Sequence, residues 1–129
     1  MNRILAILCF SLLALSACKK YKDGPYISIW SHKERIEGKW VVGYAEKNQK
    51  NTTSSYKDLV WEFTRNYAVI EITDTAKLNG IWGTMTNDKD FVIDYDNGAR
   101  SIFEIIRLTR EQFWIRNRQS ELILHLKPY

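Results

Sequence analysis

The sequence predicts an all-β fold, in which eight antiparallel strands in chain order close into an up-and-down barrel after a short N-terminal tether. Segments rich in aromatic and β-branched residues recur about every ten residues from residue 39 onward. Most links between them are short, which forces antiparallel neighbours because a parallel pair needs a long crossover. A meander of this kind hides its edges when it closes into a barrel.

The first 17 residues have the pattern of a secretory signal: Arg3, then an apolar run of about a dozen residues, then small residues. The run is too short for a membrane-spanning helix, which needs about 20 apolar residues. It ends in Leu15-Ser16-Ala17-Cys18, which resembles the lipobox of bacterial lipoproteins. The resemblance implies that residues 1–17 are removed and that the thiol of Cys18 is acylated. A plain signal peptide with an incidental cysteine is the alternative.

Cleavage before Cys18 leaves 112 residues, a length that suits one domain. Cys9 leaves with the leader and Cys18 carries lipid, so no disulfide is expected and packing alone must stabilise the fold. The mature side chains carry 18 Lys and Arg against 15 Asp and Glu. Part of this excess of positive side chains lies directly after the lipidated cysteine. These side chains either face anionic headgroups or form a hydrophilic spacer. The near balance elsewhere indicates no nucleic-acid partner.

Residues 18–36 are predicted to form the lipidated tether and a lead-in turn, and residues 37–129 the barrel domain. The tether "CKKYKDGP" ends in a Gly-Pro turn signal, and Ser31-x-x-Glu34 has the spacing of a capping box. The Asn97-Gly98 pair signals a tight hairpin turn, whereas the long polar segment 47–57 is expected to form a flexible flap. The eight strands are predicted at 39–46, 58–65, 67–73, 78–86, 90–96, 100–109, 112–118 and 121–127.

Alternation of apolar and polar residues predicts which faces line the interior. Segment 100–109 breaks this alternation at Phe103, Ile105 and Ile106, which predicts a bulge or burial on both faces. Glu62, Glu104 and Arg107 are expected on the outer face, with a meeting inside the barrel as the alternative. The predicted inward residues of the three clearest strands are Leu59, Trp61, Phe63, Phe91, Ile93, Tyr95, Leu122, Leu124 and Leu126.

The first strand opens with Gly38-x-Trp40, which resembles the Gly-x-Trp signature of lipocalins. The order of lipobox, tether, Gly-x-Trp, "WEF", "GIWG", "FEIIRLT" and "LHLKPY" is similar to that of small Gram-negative lipoproteins with a lipocalin-like domain. The resemblance implies that Trp40 closes the barrel base, while Gly38 lets the entering chain pass close by. In the second hairpin, where such proteins commonly carry a glycine, Asn66 can adopt the left-handed turn conformation.

Lipocalins also usually pack an arginine over this tryptophan. The resemblance leaves Arg107, Arg116 and Arg118 as candidates for that role. Lipocalins proper are longer than this chain, so the resemblance supports the fold more than a ligand.

An eight-stranded barrel is wide enough either to be filled by side chains or to hold one small ligand. Tryptophans at the predicted inward positions, Trp114 among them, would fill much of the space. The expected function is non-enzymatic binding of a small apolar or amphipathic molecule at the mouth near the 47–57 flap. Its predicted ligand-binding residues are Trp40, Tyr44, Trp61 and Trp82. The alternative is a solid barrel that serves as a structural or protein-interaction module of the cell envelope.

No motif in the sequence indicates an enzyme, a metal site or a cofactor. The two histidines, His32 and His125, lie far apart in the chain, and "DYDNG" places a glycine where a calcium loop needs its next ligand. The lysine after Cys18, in place of an aspartate, favours anchoring in the outer membrane. Asp74-Thr75-Ala76 resembles an O-glycosylation acceptor of some Gram-negative bacteria, with an ordinary turn as the alternative.

Overall fold

A computed structural model of the protein describes Tyr21, residues 30–86 and residues 88–129. The predicted signal peptide, Cys18 and most of the tether therefore lie outside the described residues. All eight predicted strands are confirmed, with ends displaced by no more than two residues. The elements are α1 (His32–Ile36), β1 (Gly38–Lys47), β2 (Lys50–Asn51), a 3-10 helix (Thr53–Tyr56), β3 (Val60–Phe63), β4 (Ala68–Ile72), β5 (Lys77–Met85), β6 (Asp90–Tyr95), β7 (Arg100–Leu108), β8 (Phe113–Asn117) and β9 (Leu122–Pro128).

The strands form one antiparallel sheet in the order β2-β1-β3-β4-β5-β6-β7-β8-β9, and β1 also pairs with β9. This last pairing runs from Trp40↔Pro128 to Lys47↔Leu122 and closes an eight-stranded barrel. The two-residue strand β2 only extends a hairpin from the end of β1. We call the end where β1 begins the lower end, and the end where β1 finishes the upper end.

The hairpin turns follow their local chemistry. Between β6 and β7, the Tyr95 amide donates to the Ala99 carbonyl at 2.9 Å, and Gly98 has φ of 89°, so the Asn97-Gly98 turn is confirmed. Between β3 and β4, the residue with positive φ is Tyr67, at 67°, so the expectation for Asn66 is wrong. The Tyr67 ring packs 5.1 Å from the ring of Trp82, a contact that offsets a left-handed backbone cost of about 1–2 kcal/mol.

Two bulges change the direction of side chains along their strands. The predicted bulge in β7 is confirmed, since the register with β8 shifts between Ile105 and Arg107. A second bulge, at Gly43, shifts the register of β1 with β9 between Val42 and Tyr44. An extra residue flips every later side chain to the other face, so Ala45 points inward and Tyr44 outward.

Helix α1 seals the lower end of the barrel. The capping box is confirmed: the Glu34 amide donates to Ser31 Oγ at 3.2 Å, and the Ser31 amide donates to Glu34 Oε2 at 2.9 Å. The side chain of Ile36 is fully buried, and its carbonyl accepts a hydrogen bond from Trp40 Nε1 at 2.7 Å. Trp40 therefore closes the base, as its position in the signature implies.

The reason for a glycine at position 38 differs from the one expected. Gly38 has φ of 128°, a conformation that side chains disfavour, and nothing lies within 4 Å of where its Cβ would be. The glycine therefore serves the backbone conformation and not a close passage of the chain.

The arginine at the lower end also differs from the candidates. Arg107 and Arg116 pair across β7 and β8 with outward partners, and Arg118 contacts the outward Glu104. Among the described residues, the arginine that is buried is Arg35, from α1, whose Nη1 donates to the Leu108 carbonyl at 2.8 Å.

Candidate functional site

Aromatic rings fill the lower half of the interior. The rings of Phe63, Phe91 and Phe113 are at most 1% exposed. The ring centre of Phe91 lies 5.2 Å from that of Phe63 and 5.2 Å from that of Phe113, in edge-to-face geometry. Among the described residues, such contacts give a close-packed core at this end of the barrel.

Three of the four predicted ligand-binding residues belong to this packed interior. Trp40, Trp61 and Trp82 are 3–4% exposed. Phe63 joins Trp61 to Trp82, with ring centres 6.1 and 6.0 Å away, and Trp40 lies 5.7 Å from Phe113. The three tryptophans are therefore core residues. Of the three, Trp61 also contacts Glu71, which is described below.

Tyr44 does not share the interior with these tryptophans. The Gly43 bulge turns it to the outer face, where its ring lies 5.2 Å from His125 and its hydroxyl donates to Glu46 at 2.6 Å. Trp114 was expected inside and is also outside, stacked 4.0 Å from His125. An outward aromatic row therefore crosses β1, β9 and β8.

The upper half of the interior is less completely covered. Several inward side chains there remain partly exposed although they pack against the core or line its upper rim. We call this set the upper mouth: Val42, Tyr56, Glu71, Leu78, Tyr95, Ser101 and Leu122. The mouth combines apolar walls with a few polar groups, the usual composition of a small-molecule site.

Glu71 is the polar centre of the upper mouth. It pairs across the sheet with Trp61 on β3 and with Leu78 on β5, so its side chain shares the inward face with buried Trp61. Its Oε2 accepts a hydrogen bond from Trp61 Nε1 at 2.7 Å and another from the Tyr95 hydroxyl. Within the described residues, its Oε1 accepts none.

Gly80 allows Tyr95 to reach Glu71 from two strands away. It pairs with Tyr95 on the intervening strand β5, and a Cβ at this position would lie 2.3 Å from the Asp94 carbonyl oxygen. The absent side chain lets the backbone of β6 approach β5 closely at Tyr95. Burial, together with the hydrogen bond to Glu71, raises the pKa of the Tyr95 hydroxyl well above its ordinary value, so it remains a donor.

The segment predicted as a flexible flap is a short hairpin followed by a 3-10 helix. The Thr52 amide donates to the Ala45 carbonyl at 2.8 Å, and the Ala45 amide donates to Thr53 Oγ1 at 3.0 Å. Beyond Val41, where the pairing of β1 with β3 ends, these bonds take the place of a strand partner on the edge of β1 that faces β3. Tyr56 from this segment packs against the core at the upper mouth.

The remaining sequence-based candidates lie apart from the mouth. Thr75 is exposed in the turn between β4 and β5, as expected. His32 lies 3.2 Å from Asp88 near the lower end, whereas His125 contacts Tyr44 and Trp114 on the outer face. No group of three or more metal-binding side chains converges in residues 30–86 and 88–129, and no helix among the described residues is long and apolar enough to cross a membrane.

Sequence comparisons match no protein-family model and no curated protein. Among solved structures, a lipocalin-like protein from Bacteroides uniformis ATCC 8492 is similar, with a TM-score of 0.62 and 9% sequence identity. The match covers 74% of this chain and 99% of that chain. The fold is lipocalin-like. At this identity the similarity extends to the lipocalin-like barrel and not to a ligand.

Proposed function

We propose that this protein is a lipid-anchored, non-enzymatic binding protein of the cell envelope, whose barrel holds a small amphipathic molecule at the upper mouth. One observation carries the proposal. The lower interior is sealed by α1 and filled with rings, whereas inward residues of the upper mouth remain partly exposed around Glu71. A barrel that is open at one end is a frequent location for a ligand site.

The filled lower half limits the length of the ligand. Strands of this length rise about 3.3 Å per residue and tilt, giving a barrel roughly 20 Å tall. Ile93, Ile115 and Leu124 in the upper half are also buried, so we expect a ligand to insert only a short apolar segment at the rim and to keep its remainder outside the barrel.

Native mass spectrometry of the protein extracted from its own envelope tests ligand binding. We expect a bound small molecule on the wild-type protein. Ser101→Trp, which fills the mouth, should remove it, and Ile102→Trp, on the outer face of the same strand, should retain it. Wild-type protein without any bound molecule would contradict the proposal.

The proposed anchor is tested by Cys18→Ala in the native host. We expect the variant to leave the membrane fraction while the wild type sediments with the outer membrane on a density gradient. Membrane association that is unchanged in the variant would contradict lipid anchoring without bearing on the barrel.

A protein-interaction module is the second candidate, because the outer face carries an exposed apolar patch. Ile81, Met85 and Ile102 are 60%, 46% and 44% exposed, and a groove of about 180 Å³ runs past Ile81 and Met85 over Val92. If this is the function, Ile81→Lys should dissociate an envelope complex on native gels, and Ser101→Trp should leave the complex intact.

A further inference from the structure

We propose that Glu71 is the recognition group for a positively charged head on the ligand, so that the upper mouth prefers cationic amphiphiles to neutral and anionic ones. This inference rests on the proposed function and adds the chemical class of the ligand. Glu71 is an acidic side chain inside a barrel whose other described inward residues are almost all apolar or aromatic.

The hydrogen bonds of Glu71 do not require a negative charge. Both donors, Trp61 Nε1 and the Tyr95 hydroxyl, bond to the same oxygen, Oε2. The carbonyl oxygen of a glutamine has two lone pairs and would accept both bonds. A neutral amide would therefore be sufficient for these two hydrogen bonds. Neither the negative charge of Glu71 nor its second oxygen, Oε1, is needed for them.

No described cation balances this charge. The arginines near the upper half bind acids on the outer face: Arg100 contacts Asp94 at 2.5 Å, and Arg116 contacts Glu104. Among the described residues, no Lys, Arg or His nitrogen lies within 4.0 Å of the Glu71 carboxylate. A bound cation would therefore be the first positive charge in contact with this carboxylate, and their attraction would favour binding.

The surroundings of Glu71 suit the rest of such a ligand. Leu78 lies beside it in the sheet, and Leu122 and Tyr56 complete the apolar wall of the mouth. Trp61 Nε1 and the Tyr95 hydroxyl hold the carboxylate in place through Oε2, which leaves Oε1 as the acceptor for an ammonium head. An alkyl chain with an ammonium head satisfies both requirements at once.

Three probes that share one tail test the preference: octylamine, octanol and octanoate, titrated below their aggregation limits against the full chain by calorimetry at pH 7. We expect octylamine to bind at least tenfold more tightly than octanol, and octanoate to bind more weakly than octanol. In Glu71→Gln, which keeps both hydrogen bonds, the octylamine advantage should fall below threefold while octanol affinity stays unchanged.

Glu62→Gln is the matched control, because Glu62 lies on the outer face of the neighbouring strand and its removal changes net charge equally. We expect it to keep the octylamine preference, and loss of the preference in this variant would overturn the inference in favour of general charge attraction. Equal binding of all three probes to the wild type would also overturn it and leave the proposed function standing. If none of the probes binds, the inference is overturned as well; if Ser101→Trp in addition removes no native ligand, the proposed function fails with it.

Discussion

The two halves of the barrel interior are built from the same strands but are stabilised differently. The lower half is a cluster of aromatic rings, capped by α1 and almost without solvent exposure. The upper half has a carboxylate at its centre, two hydrogen-bond donors and partly exposed walls. We therefore expect the lower half to contribute more to stability, because its aromatic core is closed to solvent, whereas the upper half also accommodates polar groups.

The largest effect should come from the lower half. Phe63→Ala removes a ring that is 1% exposed and contacts four other rings, and we expect it to reduce the free energy of unfolding by about 3–5 kcal/mol. Urea unfolding measures the change. Tyr129→Ala, at a residue that is 79% exposed, should change stability by less than about 0.5 kcal/mol. A loss below 1 kcal/mol for Phe63→Ala would show that the lower half is not the stable end.

An intermediate effect should come from the strand contact that supports the upper half. In Gly80→Ala the new Cβ would meet backbone atoms of Asp94 and Tyr95, so we expect a loss of about 1–3 kcal/mol and a weaker Tyr95–Glu71 contact. Gly83→Ala is the control on the same strand, because nothing lies within 4 Å of its Cβ position. Thermal melts of the two variants should differ clearly; equal melting temperatures would contradict the close approach of β5 and β6.

The smallest effect should come from the polar group of the upper mouth. Tyr95→Phe removes one hydrogen bond to Glu71 and should cost about 1 kcal/mol near neutral pH. Burial raises the pKa of Tyr95, so the folded state holds this proton more tightly than the unfolded state. The wild-type contribution is therefore complete below the ordinary tyrosine pKa of about 10 and declines as the pH rises above it.

Urea unfolding between pH 8 and pH 11 checks this pH dependence. Tyr95→Phe should show a shallower alkaline loss of stability than the wild type, while Tyr129→Phe should follow the wild type. If the free energy of unfolding falls equally with pH in Tyr95→Phe and the wild type, the raised pKa of Tyr95 is not the cause of the alkaline loss of stability.

The sequence by itself determined the strands, most of their turns and much of the buried core. Regular segments, short links and the alternation around Trp61, Phe91 and Leu124 depend on neighbours along the chain, and the structure confirms them. The bulge in β7 also left a local signal, because three apolar residues break its alternation.

The upper mouth was decided by the tertiary structure. In "AVIEI" both faces of β4 carry apolar residues, so alternation alone does not assign Glu71 to a face. Pairing of Glu71 with Trp61 places it inside, and Ile72 is left 36% exposed. The Gly43 bulge likewise turned Tyr44 outward. Because strand side chains alternate with a period of two, a single pairing or bulge exchanges the two faces, and that choice depends on neighbouring strands which the local sequence does not contain.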